Sequence, residues 1–533
     1  MALEFCAAAS LVCLLAWMVV SGLDDLFIDL VFFCNGRKRF PWPEEEELAR
    51  AAQRRIAILV PLWREHDVIQ QMLEHNLAVI RYVNYDFFVG VYPNDPETIR
   101  AVRTAARADS RVHVALGRHA GPTSKADCLN SAYRAMEEYE ARYRVRFDIV
   151  MTHDAEDLIH PESLRLVNWF SREYSMIQMP VLPLGTVNGE WTHGLYCDEF
   201  AEYQFKDIPV RQHLGGFLPG NGVGTGFARN ALEQLREQNR ASVFDPECLT
   251  EDYETGFRMH AAGFRQLFLP IHLNHTGPVA TREYFPRSWR SAIRQRSRWV
   301  AGIALQGWER YGWRTPRRQW YWLWRDRKGL VGNLLSAFTN LLLLAWLVRA
   351  AWGGPGGAWP LPAALALWIP RVCLVTAGMA LVQTAVRITL SARIYGAAFA
   401  AAAPLRILWG NAVNGAATME AMRLYVTAHL RRHSVAWRKT EHVYPGDPLL
   451  IHSRPRLGEI LVSLHCISLR ELDDALAARP PGLHLGEYLI QLKKITEVDL
   501  HQALSSQAGV PLTPLAAPAR AHAVHRNFGL DST

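Results

Sequence analysis

Hydrophobic positions in this 533-residue chain fall into two kinds of run. Long, unbroken apolar stretches lie at 5–23 ("FCAAASLVCLLAWMVVSGL"), 330–348 ("LVGNLLSAFTNLLLLAWLV") and 361–386. Each is close to the ~20 residues a helix needs to cross a bilayer. Between the first two lie short apolar runs rich in β-branched and aromatic residues: "RIAILVPLW" (55–63), "YDFFVGVYP" (85–93), "RVHVALG" (111–117) and "FDIVMTHDAED" (147–157). Helix-compatible segments at 66–80, 95–107 and 125–142 separate them. This alternation predicts an α/β sheet with crossover helices, whose ligands bind beyond the carboxyl ends of the strands. The polar residues ending those runs are Glu65, Asp95 and Asp154 with its neighbours. They are the first candidates for chemistry.

The flanks of the long runs set an expected topology. "MALE" lacks the positive charge of a secretory signal, and no small-x-small site precedes "DDLFIDL", so residues 1–35 read as a retained anchor. "RKR" (37–39) then places a domain spanning 50–315 in the cytosol. "RDRK" (325–328) and Arg387/Arg393 flank the second and third runs, and the loop "GGPGGAWP" between them is uncharged. Residues 328–390 therefore read as a hairpin with both ends cytosolic, although Arg371 beside Pro370 is awkward inside it. Residues 391–440 are apolar but interrupted by Pro404, Arg406, Asn411, Asn414 and Glu420. Interfacial or re-entrant helices are expected there, with a fourth span as the rival.

Charge and cysteine content narrow the class. The net charge is +7, and the basic residues gather near apolar segments. That fits a membrane surface better than a nucleic-acid stripe. Eight cysteines are scattered without a CxxC pair, which suggests reduced cytosolic thiols rather than a disulfide framework or zinc site.

Three motifs carry chemistry. "HDAED" (153–157) ends an apolar strand in clustered carboxylates. Such a cluster suits a divalent cation gripping a diphosphate, or equally an acidic cap for a helix near Pro161. "LTEDYETGFRMHAAGFR" (249–265) sets Asp252 at a helix start, where Thr250 could instead serve a capping box. "RQRSRWVAGIALQGW" (294–308) gives Gln295, Arg298 and Trp299 one helix face, which an interfacial Arg/Trp helix would also explain.

Taken in order, "VPLWRE" (60–65), "YPND" (92–95), "SKADCLN" (124–130), "HDAED", "TED" (250–252) and "QRSRW" (295–299) resemble the family-2 glycosyltransferases, specifically the processive membrane synthases related to cellulose and hyaluronan synthases. The resemblance implies a GT-A type α/β domain, an Mg²⁺ or Mn²⁺ cofactor and inversion at the anomeric carbon. By the same resemblance Glu65, Asp95 and Lys125 contact the nucleotide. Asp154 and Glu156 match the D-x-D metal motif, with Asp157 an adjacent carboxylate. Asp252 matches the catalytic base, accompanied by Asp154 and Glu251. Gln295, Arg298 and Trp299 position diphosphate and acceptor. "PGNGVGTGF" (219–227) lies at the expected acceptor end, a weak signal alone.

The last eighty residues contain a tandem duplication. "RLGEILVSLHCISLRELDDAL" (456–476) recurs as "HLGEYLIQLKKITEVDLHQAL" (484–504). It reads either as a plain α-helical repeat or as part of a secretion ATPase. No G-x-x-x-x-G-K-[ST] loop is present for the latter. The pattern also resembles the N-terminal module of type II secretion ATPases (MshEN-like), a small mainly α unit over 450–520. That resemblance implies cyclic di-GMP binding through Arg456, Leu457, Gly458, His484, Leu485 and Gly486. The departures are His484 in place of Arg, His465 and Lys493 in place of glycines, and Arg479 in place of Gln. Synthase, hairpin and module together, with "GLDDLFIDL" (22–30) and "WRKTEHVYP" (437–445), resemble the phage-adsorption protein B (NfrB) type. This implies an inner-membrane enzyme that builds a secreted glycan from a UDP-sugar, with UDP-N-acetylhexosamine as one candidate, beside an outer-membrane export partner. A single-transfer synthase acting on a lipid carrier and a non-catalytic scaffold or phage-receptor component are the alternatives.

Overall fold

A computed structural model of the chain describes residues 2–35, 43, 45–238, 242–273, 277–352, 367–431, 444, 457–463, 466–480 and 483–508. It divides into two compact units, residues 1–453 and 454–533. The first opens with α1 (Ala2–Asn35) and α2 (Glu45–Arg50). The four apolar runs then form β1 (Ile56–Pro61), β2 (Tyr85–Val91), β3 (Val112–Leu116) and β4 (Ile149–Thr152). The segments between them form α3 (His66–Val79), α4 (Pro96–Ala108) and α5 (Lys125–Tyr143). These four strands are mutually parallel, as crossover helices require.

After α6 (Ser163–Phe170) come β5 (Met176–Gln178), β6 (Val181–Pro183), α7 (Trp191–Glu202), a π-helical turn at Tyr203–Asp207 and α8 (Ile208–His213). β7 (Thr225–Ala228), α9 (Arg229–Gln238), α10 (Glu251–Ala261) and β8 (Gln266–Phe268) follow. The seven-stranded sheet has the order β3-β2-β1-β4-β7-β5-β8, with β7 antiparallel to both neighbours. β9 (His272–Leu273) pairs with β10 (Gly277–Pro278), and β11 (Thr281–Glu283) runs parallel to β6. Alternate residues of β1 enter different cores: Ile56, Ile58 and Val60 on one face, Ala57 and Leu59 on the other. Burial on both faces explains why the strands read as continuous apolar runs.

The domain closes with α11 (Trp289–Trp299), a second π-helical turn at Val300–Gln306, α12 (Gly307–Tyr311) and α13 (Arg317–Arg327). α14 (Gly329–Trp352), α15 (Ile369–Tyr395), α16 (Ala397–Ala400) and α17 (Ala403–Arg431) complete this unit. Among the described residues, three helical stretches are long and apolar enough to cross a membrane: Leu11–Cys34, Arg317–Ala345 and Ile369–Tyr395. The third is displaced C-terminally from the 361–386 run. Arg371 consequently falls in the first turn of α15, exposed and over the Trp368 ring at 5.6 Å, where a long side chain can reach the interface. The loop at 353–366 and "RKR" at 37–39 lie outside the described residues. Polar residues that interrupt 391–440 are partnered within this unit. Arg406 meets Asp198 (2.5 Å), Asn411 meets Asn340 (3.2 Å) and Asn414 accepts from Arg296 (2.6 Å).

The second unit comprises α18 (Leu457–Ser463), α19 (Leu469–Ala478), α20 (Leu485–Gln491) and α21 (Glu497–Ala508). Its core draws on both copies: Ile460, Leu461, Ile467, Leu472 and Ala475 from one, Leu489, Ile495 and Ala503 from the other.

Candidate active site

The strand ends converge on one ammonium. Ser124 caps α5, its hydroxyl accepting from Asp127 N–H, and this places Lys125 at the first helical position. Lys125 Nζ lies 2.7 Å from the Asp154 carboxylate, just beyond β4, and 3.9 Å from Glu251 Oε1 on α10. Burial alone would push this ammonium down, but Asp154, Glu251 and Asp252 hold it well above its ordinary value. Two motifs 98 residues apart in sequence (154 and 252) therefore share one counter-ion.

Asp252 is held by backbone. Its Oδ1 accepts from Tyr253 N–H (2.8 Å) and its carbonyl accepts from Gly220 N–H (3.3 Å). A Cβ at Gly222, whose φ is +80°, would stand 2.9 Å from Asp252 Oδ2 and 3.2 Å from Lys125 Nζ. The glycine-rich turn therefore lies against the carboxylate–ammonium pair, and only glycine fits there. Burial raises the Asp252 carboxyl against the pull of Lys125 and Arg298. Burial and Asp252 push Glu251 up to about 7. Thr250 makes no side-chain cap, so the carboxylates of "TED" stand at this helix start without the capping-box reason.

The "HDAED" cluster divides its labour. Asp157 Oδ2 accepts from buried His153 Nδ1 (2.7 Å) and from Asp154 N–H (3.0 Å), so this carboxylate fixes the turn that aims Asp154. Burial pushes His153 down to about 3, leaving a neutral imidazole as that donor. Glu156 hydrogen-bonds with Glu283 of β11. Burial, Asp157 and Asp154 push the Glu283 carboxyl well above its ordinary range. The helix near Pro161 takes no cap from these residues; Glu162 occupies that position. Among the described residues no three His, Cys, Asp or Glu side chains cage a metal unaided. Mg²⁺ and Mn²⁺ in phosphate sites use one or two carboxylates with substrate oxygens, and a surplus of buried carboxylate around a 25 % exposed Asp154 fits that donor set.

Glu65 and Asp95 are buried together at the ends of β1 and β2. Asp95 caps α4, accepting from Thr98 N–H, and also accepts from Arg64 N–H at 2.6 Å. Thr98 Oγ1 in turn accepts from Glu65 N–H (3.1 Å), so the two loops are tied to each other. Trp63 and Tyr92 pack edge to face beside them at 5.3 Å.

The helix carrying Gln295, Arg298 and Trp299 is locked to the "TED" segment through its π-helical extension. A Cβ at Gly302 would stand 2.6 Å from Thr250 Oγ1, and Gln306 accepts from Leu249 N–H (3.0 Å). Arg298 acts electrostatically on Glu251 and Asp252, and Trp299 packs near Tyr196 (6.2 Å) and Phe200 (6.3 Å). Gln295 is partly buried on the same helix. Arg296, unnoticed in sequence, anchors that helix by pairing with Glu199 (2.7 Å) and lying over Tyr196 (4.2 Å). Glu283 was likewise missed; its only signal is a charged "RE" at 282–283, one residue beyond the apolar "VA" at 279–280.

In the second unit, Gly458 and Gly486 face the core. A Cβ on Gly458 would meet Leu472 at 2.5 Å and Leu485 at 3.2 Å; one on Gly486 would meet Leu500 at 2.5 Å and Leu457 at 3.1 Å. Each glycine packs on its own copy and on the other. His484 is exposed as the cap of α20, Leu457 and Leu485 are partly buried, and Arg456 lies outside the described residues.

Comparison with known proteins agrees with this geometry. The family model "Glycosyltransferase like family 2" matches residues 53–302, which contain all six motifs from "VPLWRE" (60–65) to "QRSRW" (295–299). "Bacteriophage adsorption protein B" of Escherichia coli (strain K12) is 35% identical over 522 residues, covering 92% of this chain and 70% of that protein. "Bacteriophage N4 adsorption protein B" of Escherichia coli O157:H7 matches with the same identity and coverage. Among solved structures, the mannosyltransferase PcManGT from Pyrobaculum calidifontis in complex with GDP-Man and Mn²⁺ is 18% identical. It aligns with 76% of this chain and 99% of its own, with a TM-score of 0.45. The domain is a GT-A-like glycosyltransferase fold.

Proposed function

This chain belongs to the bacteriophage adsorption protein B family, and from that premise we propose that it is an inner-membrane, multi-pass, metal-dependent hexosyltransferase with cytosolic catalytic and C-terminal domains. It takes a UDP-sugar, with UDP-N-acetylhexosamine as one candidate, and extends a glycan that leaves through an outer-membrane export partner. The observation that carries the reading is the convergence of Asp154, Glu251 and Asp252 on Lys125 beyond the strand ends.

Each group has work to do there. Glu65 and Asp95, braced against each other, border the nucleoside. Lys125 trades Asp154 for the diphosphate when donor binds. Mg²⁺ or Mn²⁺, held by Asp154 and Glu156 with Glu283 beside them, would supply charge neutralisation at the leaving diphosphate. Asp252 takes the proton of the acceptor hydroxyl as its oxygen bonds to the anomeric carbon. The bond from that carbon to the diphosphate oxygen breaks on the opposite face, and its electron pair leaves with the nucleoside diphosphate. The product is inverted. Burial and the Asp252 carboxylate hold the neighbouring Glu251 carboxyl above its ordinary range. Arg298 steadies the diphosphate and Trp299 backs the acceptor sugar.

The duplicated unit is proposed as a cyclic di-GMP module, with Arg456, Leu457, Gly458, His484, Leu485 and Gly486 as its signature. The inward packing of both glycines supports one fold built from two copies. The reading is tested by incubating membranes carrying the full chain with a panel of UDP-sugars and assaying UDP release with and without cyclic di-GMP. One sugar giving Asp252-dependent release, increased by cyclic di-GMP, supports it. Release with no sugar contradicts the enzyme reading, and release indifferent to cyclic di-GMP contradicts the regulatory part.

A further inference from the structure

Away from the active site, four aromatic rings line an open, shallow pocket of about 440 Å³: Trp313, Trp320, Tyr321 and Trp324. Its polar handles are largely spent. Trp320 Nε1 donates to the carbonyls of Trp313 (2.9 Å) and Thr315 (3.1 Å), and the Tyr321 hydroxyl donates to Asp24 Oδ1 (2.6 Å). A saccharide, which needs bonds to its hydroxyls as well as a stacking face, would find little here. An apolar chain would.

The surroundings specify what that chain carries. The pocket lies at the start of the candidate span Arg317–Ala345, the depth at which aromatic rings meet headgroups. Arg317, Trp320, Tyr321 and Trp324 occupy positions i, i+3, i+4 and i+7, one face of α13. Arg314 and Arg318 flank that stripe. All three arginines are exposed and form no ion pair among the described residues. The neighbouring cations are already taken: Lys328 by Asp24 (2.6 Å) and Asp25 (2.8 Å), and Arg325 by Asp25 (3.0 Å) and Asp207 (3.3 Å). A cationic rim above an apolar aromatic cup is complementary to an amphiphile with an anionic head.

We infer that this pocket is a specific site for an anionic glycerophospholipid of the surrounding bilayer, one acyl chain among the four rings and the phosphate against Arg314, Arg317 and Arg318. The inference needs only the membrane embedding of α13 and α14 and is independent of which sugar is transferred. The opposite face of α13 reaches the catalytic helix: Asp326 accepts from the Tyr253 hydroxyl (2.7 Å), next to Asp252, and pairs with Arg211 (2.7 Å). The lipid therefore sits across one helix from the proposed base.

The test uses the full chain in nanodiscs containing a trace of diazirine-acyl phosphatidylglycerol or diazirine-acyl phosphatidylcholine, with crosslinks mapped by mass spectrometry. Residues 313–324 are expected to label at least about five-fold more with the anionic probe, while α15 labels equally with both. R314Q/R317Q/R318Q should remove that preference, and R314K/R317K/R318K should retain it, which separates charge from loss of fold. Equal labelling by the two probes would reduce the rings to an ordinary aromatic belt. Labelling of 313–324 no higher than α15 would show that no acyl chain enters the pocket. Either result overturns the proposal.

Discussion

Two sets of buried charge in the first unit contrast sharply. Beside α7 and α17, Arg406 and Asp198 are each 1 % exposed and matched in charge, Arg406 donating through Nε (2.5 Å) and Nη2 (3.0 Å) and Ser391 donating to the same carboxylate. At the strand ends, Asp154, Glu156, Glu251, Asp252 and Glu283 outnumber the cations, and burial drives Glu251, Asp252 and Glu283 upward in pKa. The first set is closed and holds the fold. The second carries unrelieved charge, the usual mark of a site shaped for a ligand rather than for stability. A buried polar residue is thus diagnostic only through what surrounds it.

The contrast can be broken from either side. Apart from the proposed base itself, the largest effect is expected at Lys125. K125M should lower nucleoside-diphosphate release by about 10²–10³-fold while the protein stays folded, because a preorganised charge on the diphosphate is lost. Arg406 should behave in the opposite manner. R406M leaves Asp198 buried without its cation and should cost roughly 3–5 kcal/mol of stability, read as a drop in thermal midpoint, with R406M/D198N recovering much of it. Next comes G222A. A methyl group between Asp252 and Lys125 at a positive φ should lower turnover by up to about 10²-fold with little change in nucleotide affinity.

The smallest effect is electrostatic. Glu251 has its ordinary value of 4.5 raised to about 7, so its ionisation works against folding as pH rises through that interval. E251Q should therefore raise the thermal midpoint above pH 7 and leave it unchanged below about pH 4.5, where both states are protonated. Because Glu251 is still protonated as Asp252 ionises, the acid limb of kcat/KM should stay in place in E251Q.

Much of this organisation was legible in the sequence, for physical reasons. Strands buried on both faces must be apolar throughout, so β1, β2 and β4 appeared as apolar runs, with the half-exposed edge strand β3 a fourth and helices between them. The motif residues stood at strand and helix ends because ligand chemistry occurs there. Other features left little trace. Glu283 reaches Glu156 because β11 pairs with the distant β6 and Arg282 bridges to Leu158, contacts no local pattern encodes. The double duty of Asp95, as cap of α4 and acceptor from Arg64, needs the tertiary approach of two loops. The third apolar run was bounded by composition, whereas α15 continues through Arg387 and Arg393, with Arg387 paired to Glu202 (2.5 Å). The repeat glycines looked available to a ligand, and their role in joining two copies emerged only from packing.

The central claim is that Asp252 is the base of a sugar-transfer reaction. Asp252→Asn in the full membrane-embedded chain keeps shape and volume while removing the proton acceptor. The decisive measurement is nucleoside-diphosphate release from the preferred nucleotide sugar by this variant, alongside its affinity for that nucleotide. The account expects release to fall by about 10²–10⁴-fold with affinity within a few-fold of the parent. Release at the parental rate would contradict it.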